Sequence, residues 1–266
     1  MHSISRFPLV TCLLILGCAS LVLGQDATPP APTSAPDRLF LAFIEDAAAA
    51  NRQWWEGQLG TANWDRFDAA ILTGVAAFQT WDDVELGGRV GFGNTDLSGG
   101  GPDGSGATDL ELWGKYLLGH VESTEFAVGG VITVPTGDET AGLGSDAFGG
   151  SAFGALRHRL ERLIITGHLG LQMNGDGMRF GGPERDGETV LQLGLGAIFP
   201  FSDNLSGVAE LAFRDGRLDG DDDDTRALGG INWRPGSRGM FRAAIGFGLS
   251  DGAPDLQAQA GYAAQF

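Results

Sequence analysis

The residues able to do chemistry are scattered over many short apolar segments and do not gather into one motif. Glu56, Glu85, Arg89, Glu111, Lys115, Arg157, Arg159, His168, Glu210, Arg214, Arg226 and Arg242 each interrupt such a segment. In a half-buried strand, alternate residues share one face. These twelve fall on the face otherwise filled mostly by Gly, Ala, Thr and Gln. Around an aqueous pore, a ladder of Arg and Lys would select anionic solutes. Opposite charges on neighbouring strands, Glu85 or Glu111 with Arg89 or Lys115, would instead pair and fill the interior. Both readings are open at this point.

Catalytic chemistry finds little support. The four histidines are His2, His120, His158 and His168, and HExxH does not occur. Despite 44 glycines there is no GxxxxGK phosphate loop. The Ser/His/Asn set of a lipid-facing phospholipase is missing as well, so no enzyme is expected. The run Asp215–Asp224 (DGRLDGDDDD) offers carboxylates for Ca²⁺ or Mg²⁺ but lacks EF-hand spacing. It reads as a solvated loop, and neither a metal nor a cofactor is expected.

Arg6, the apolar run Leu9–Leu23 and the small residue Gly24 form a secretory signal over residues 1–24. The competing reading is a lipoprotein box, Ile15-Leu16-Gly17-Cys18. Cys12 and Cys18 are the only cysteines, so the chain after residue 24 can form no disulfide and no thiolate metal site. With Arg6 removed, 17 basic residues become 16 against 34 acidic, and a net charge of −17 becomes −18. Nucleic acid is not an expected partner, because it requires a positive footprint. Residues 25–51 comprise a Pro/Ala-rich linker (DATPPAPTSAPD) and an N-terminal segment, Arg38–Asn51 (RLFLAFIEDAAAAN). That segment could be a short helix, a plug or the run-in to a strand. A short helical or irregular stretch on the periplasmic side is expected.

The elements that must position the charged residues are strands. No stretch after the signal holds the roughly 18 apolar residues of a spanning helix. Twelve segments alternate apolar with small or polar residues: about 52–60, 66–78, 83–94, 108–119, 124–135, 150–160, 162–174, 188–200, 204–214, 225–234, 239–250 and 255–266. Short links (Thr80–Asp82, His120–Ser123, Glu161, Phe201–Asp203, Pro235–Arg238) take turns with long Gly/Asp-rich ones (Thr95–Ala107, Thr136–Gly149, Gly175–Gly187, Asp215–Asp224). The pattern predicts an all-β fold over 52–266, an antiparallel transmembrane barrel of about 12 strands in the outer membrane, with short periplasmic turns and long external loops. The alternative, a soluble antiparallel sandwich or propeller, would turn its apolar sets inward. Aromatics near strand ends (Trp55, Trp64, Trp81, Tyr116, Phe201, Trp233, Tyr262 and Phe266) favour the membrane, as an interfacial girdle.

Gln259-Ala-Gly261-Tyr-Ala-Ala264-Gln-Phe266 resembles the C-terminal assembly signal of outer-membrane proteins. That resemblance implies that the outer-membrane assembly machinery reads this strand. Leu112-Trp-Gly-Lys115-Tyr116, Val134-Pro-Thr-Gly-Asp138, Gly142-Leu-Gly-Ser-Asp146 and Ser250-Asp-Gly-Ala-Pro-Asp255 are similar to motifs of the outer-membrane transporter family named for the meta-pathway of phenol degradation. The likeness covers Asp109 to Phe266, with Asp146 where Gly would be usual. It implies passive passage of an unidentified small-molecule solute through a porin-like barrel among outer-membrane lipids. The second functional class is a non-conducting structural or adhesive barrel that presents acidic loops.

Overall fold

A computed structural model describes residues 37–41, 43–48, 53–65, 67–97, 104–178, 180, 182–236 and 239–265. The signal, most of the linker and Phe266 lie outside these residues. The strands are β1 (Trp54–Trp64), β2 (Phe67–Trp81), β3 (Val84–Leu97), β4 (Gly104–Ala107), β5 (Leu110–Val121), β6 (Thr124–Val134), β7 (Gly149–Arg159), β8 (Ile164–Asn174), β9 (Thr189–Ser202), β10 (Leu205–Arg214), β11 (Asp224–Trp233), β12 (Gly239–Gly248) and β13 (Leu256–Gln265). No helix among the described residues is long and apolar enough to cross a membrane. The strands cross it instead.

Neighbours in sequence pair antiparallel, and β13 returns to β1, with Gln265 opposite Trp54 and Leu256 opposite Asn63. The β2–β3 pairing completes the ring. Every ladder therefore has a partner on both sides, as a bilayer core without water demands. β4 and β5 act as one interrupted strand, which makes the barrel twelve-stranded. Arg89 lies opposite Glu111 but Phe92 opposite Ala107, so the partner of β3 carries one extra residue. Thr108 sits at this bulge: its amide donates to Gly91 O at 2.9 Å, and its Oγ1 accepts from Gly91 N at 2.7 Å.

The link expected over Thr95–Ala107 is thus shorter than predicted, because its flanks are drawn into the β3–β4 pairing. Gly and Ser there resemble a loop in composition, yet the ladder needs only their backbones. A second difference is at the external end of β1. Trp64 joins Phe67 through a tight turn and stacks on it, ring centroids 4.3 Å apart, so it is not part of a girdle.

Burial is inverted relative to a soluble protein. Leu72, Phe92 and Leu195 are 60, 62 and 60% exposed, whereas Glu85, Lys115 and Arg157 are 0, 2 and 1% exposed. A sandwich or propeller would show the reverse. The outward band is apolar on every long strand and ends at the periplasmic side in aromatics. On four adjacent strands Trp55, Tyr262, Phe241 and Trp233 form a continuous run, with centroids 6.1, 4.9 and 5.7 Å apart. Such rings favour the headgroup level.

Candidate functional site

Charges on the lipid face near mid-membrane cost about 2–4 kcal/mol each, so the parity of each strand sends them inward. What they meet there is the chain itself. Residues 37–48, expected at the periplasmic side, enter the barrel as an irregular hairpin. Its foot, Asp37, takes hydrogen bonds from Ser206 Oγ (2.8 Å) and Asn232 Nδ2 (3.1 Å) and an ion pair from Arg234, all at the periplasmic ends of β10 and β11. Its tip, Phe43, lies between Arg214 and Arg226, whose guanidinium carbons are 4.7 and 5.3 Å from the ring centre at the external ends of the same strands. Residues 44–48 then descend past His168 and Arg157.

An irregular backbone inside a barrel has no ladder to satisfy its amides and carbonyls, and leaving them bare is costly. The buried charges supply those partners. Glu210 accepts the N–H groups of Phe40 and Leu41, the second at 2.9 Å. His168 Nδ1 accepts the N–H of Glu45 at 3.0 Å. Arg242 Nη2 donates to the carbonyls of Arg38 and Leu39 at 2.9 and 2.7 Å, while its Nη1 pairs with Glu56. Lys115 Nζ donates to the carbonyls of Asp46 and Ala48 at 3.1 and 2.8 Å. Arg157 joins both arms of the hairpin, donating to Asp37 O and pairing with Asp46.

Apolar contacts complete the seat. Phe40, Leu41 and Ile44 are buried with Ile198, Val208, Ala212, Leu228 and Ala244, and Ala47 is buried with Ala127, Phe153 and Ala155. Two inward glycines make the approach possible. A Cβ on Gly194 would lie 2.6 Å from Ile44, and one on Gly230 would lie 2.7 Å from the Phe40 ring. Gly194→Val is therefore expected to unseat the hairpin at a cost of about 1–3 kcal/mol while the barrel stays closed. Increased single-channel noise with an unchanged heat-modifiable gel shift is the readout.

Five of the ten sequence-derived lumen candidates thus bind the hairpin directly: Lys115, Arg157, His168, Glu210 and Arg242. Arg214 and Arg226 hold its tip, and both also pair with Asp224. Arg89 and Glu111 pair with each other on the opposite wall. Arg159 stands apart at the periplasmic end of β7, half exposed and 3.2 Å from Glu125. Sequence reasoning missed Arg38, Asp37 and Asp46 as functional groups. Their one signal is that they flank an apolar run too short to span a membrane.

The hairpin leans on β6 to β12 and leaves a cavity of about 440 Å³ against β13, β1, β2 and β3. Gln58, Gln259, Thr73 and Ile71 line its barrel wall, and Phe40 and Phe43 its hairpin wall. Above it, the 135–148 loop folds inward on Asp109, whose carboxylate accepts the amides of Gly137 (2.9 Å) and Ser145 (3.2 Å). Within this loop, hydrogen bonds from Thr140 Oγ1 and Ala141 N hold the Asp138 carboxyl below the usual carboxylate range. Asp109→Ala should release the loop, seen as new proteinase K cleavage between residues 135 and 148 in an otherwise protected barrel.

In the acidic run, Asp221 pairs with Arg185 and Asp224 with Arg214 and Arg226, and no metal-binding group of His, Cys, Asp and Glu occurs among the described residues. In β13, Gln259 and Gly261 face the lumen and Ala264 faces outward.

No protein-family profile matches the chain, and no curated protein matches it in sequence. Solved structures do match in fold. An outer-membrane channel from Pseudomonas putida F1 superposes with a TM-score of 0.71 at 16% identity, over 86% of this chain and all of that one. The NanC porin gives 0.58 at 7% identity, covering 80% of this chain and 100% of its own. The KdgM porin in complex with oligogalacturonate gives 0.54 at 10%, covering 80 and 99%. This is an outer-membrane β-barrel. The barrel's neighbours in fold are porins and channels, and its apolar belt, closed ladder and aromatic rim suit that membrane.

Proposed function

We propose that the barrel is a passive outer-membrane channel for small molecules, with its path confined to the space between the 37–48 hairpin and the β13–β1–β2–β3 wall. The observation that carries this reading is the 440 Å³ cavity, which reaches from the external loops near Arg217 and Asp109 down to Arg38 and Trp54. A purely structural barrel gains nothing from a void of that size, since empty space forfeits packing contacts. The motif likeness to the phenol meta-pathway transporter family supports the same reading, and the β13 motif supports recognition by the assembly machinery. Seven of the ten candidates, Lys115, Arg157, His168, Glu210, Arg214, Arg226 and Arg242, act in this scheme chiefly by seating the hairpin, with Arg89 and Glu111 exposed to the solute.

Planar-bilayer recording tests the reading. The intact protein should give small, discrete conductance steps. A flat trace over many verified insertions would favour the structural alternative.

A further inference from the structure

The cavity's electrostatics point to the solute class, an inference that rests on the channel reading above. Six cations line the cavity, and the five below its external mouth are each met by a carboxylate: Arg38 by Glu85 (2.7 Å), Arg89 by Glu111, Lys115 by Glu85 (3.4 Å), Arg226 by Asp224 and Arg242 by Glu56 (2.6 Å), while Arg217, beside the external loops, donates to Asn174 Oδ1 at 3.4 Å. Charges neutralised in place cannot compensate a solute ion for the water it leaves behind, and that desolvation is expensive. The uncharged part of the wall has the opposite character. Gln58, Gln257 and Gln259 lie on the inner faces of β1 and β13, with Thr73 opposite Gln58 on β2. Gln58 bonds to Gln259 and Gln257 accepts from Arg226, yet Gln259 Nε2 is buried with no hydrogen-bond partner among the described residues. A buried amide donor without a partner is costly, and an acceptor oxygen on a solute would relieve it. Facing these amides across the cavity are the rings of Phe40 and Phe43.

We infer that the cavity is a binding site for uncharged solutes with an oxygen-bearing edge and an apolar face, held by the Gln58–Gln257–Gln259 amides against Phe40 and Phe43. The paired ions exclude charged solutes of the same size.

Proteoliposome swelling with glucose, gluconate and glucosamine, which are alike in size and differ in charge, tests this directly. Glucose should enter severalfold faster than either ion. Glucosamine exclusion is the sharper arm, because the acidic external loops concentrate cations at the mouth. Glu111→Gln, which strips Arg89 of its partner, should raise gluconate entry selectively. Gln259→Leu should slow glucose without admitting either ion, and the heat-modifiable shift confirms that each variant is folded. Equal entry of all three solutes into the wild-type liposomes, or faster entry of an ion, would overturn the inference and leave the channel intact. If none enters through the wild type or through Glu111→Gln, the channel reading itself falls.

Discussion

Deletion of residues 37–48 is expected to raise single-channel conductance severalfold and to replace small steps with large ones, without loss of the folded barrel. The barrel's own hydrogen bonds do not depend on this segment: the β1–β13 and β2–β3 pairings close the ring by themselves. Twelve strands enclose more space than the eight whose lumen side chains just fill. In the intact chain, the buried clusters around Phe40, Leu41, Ile44 and Ala47 take up that extra space. Without them the lumen charges are rehydrated by bulk water, so Arg157 and Glu210 lose partners but are not stranded in a dry core. The contrast between an unchanged gel shift and an enlarged conductance separates loss of the plug from loss of the fold.

Arg242→Ala should have the largest effect of any single substitution in the lumen. Its guanidinium satisfies Glu56, Asn232 Oδ1 at 3.2 Å and the carbonyls of Arg38 and Leu39, and it lies 4.4 Å from the centre of the Phe40 ring. Truncation leaves Glu56, 4% exposed, without its counter-ion. Removing one partner of a buried ion pair typically costs about 3–5 kcal/mol. Part of that loss should appear as a lower urea midpoint. The rest should appear as flickering between the wild-type level and the level of the 37–48 deletion. Arg242→Lys keeps the charge but not the fork that reaches a carboxylate and two carbonyls at once, so it should rescue stability only in part. By contrast, Arg159→Ala should change neither property, because its pair with Glu125 is exposed and such pairs contribute about 0–1 kcal/mol.

The wall of this barrel was legible because alternation is a local property. In β9 the set Leu191, Leu193, Leu195 and Phe199 faces lipid and Gln192, Gly194 and Gly196 face inward, a pattern two residues long that needs no distant information. β4 was not legible, since Gly104–Ala107 is Gly/Ser-rich and becomes a strand only because β3 offers it a ladder. The hairpin was the larger omission. Residues 38–51 have no period, and the described ones find their partners on side chains scattered from Glu85 of β3 to Arg242 of β12 rather than on a neighbour at fixed spacing. The inward charges could be placed on a face, but their purpose could not. Lys115 and Arg242 could belong to a selectivity ladder or to ion pairs that fill the interior; they pair with Glu85 and Glu56, and their nitrogens also donate to the carbonyls of Asp46, Ala48, Arg38 and Leu39.

The central claim is that this N-terminal segment lies within the barrel, and Ala47, 1% exposed beside Ala127, Phe153 and Ala155, is the place to test it. The only cysteines are Cys12 and Cys18, so in a protein expressed from residue 25 onward Ala47→Cys provides a single thiol. Reaction of the folded barrel with a polyethylene-glycol maleimide should give no mass shift, and boiling in detergent before labelling should give complete modification. Rapid modification of the folded band would place residue 47 outside the lumen and contradict the account.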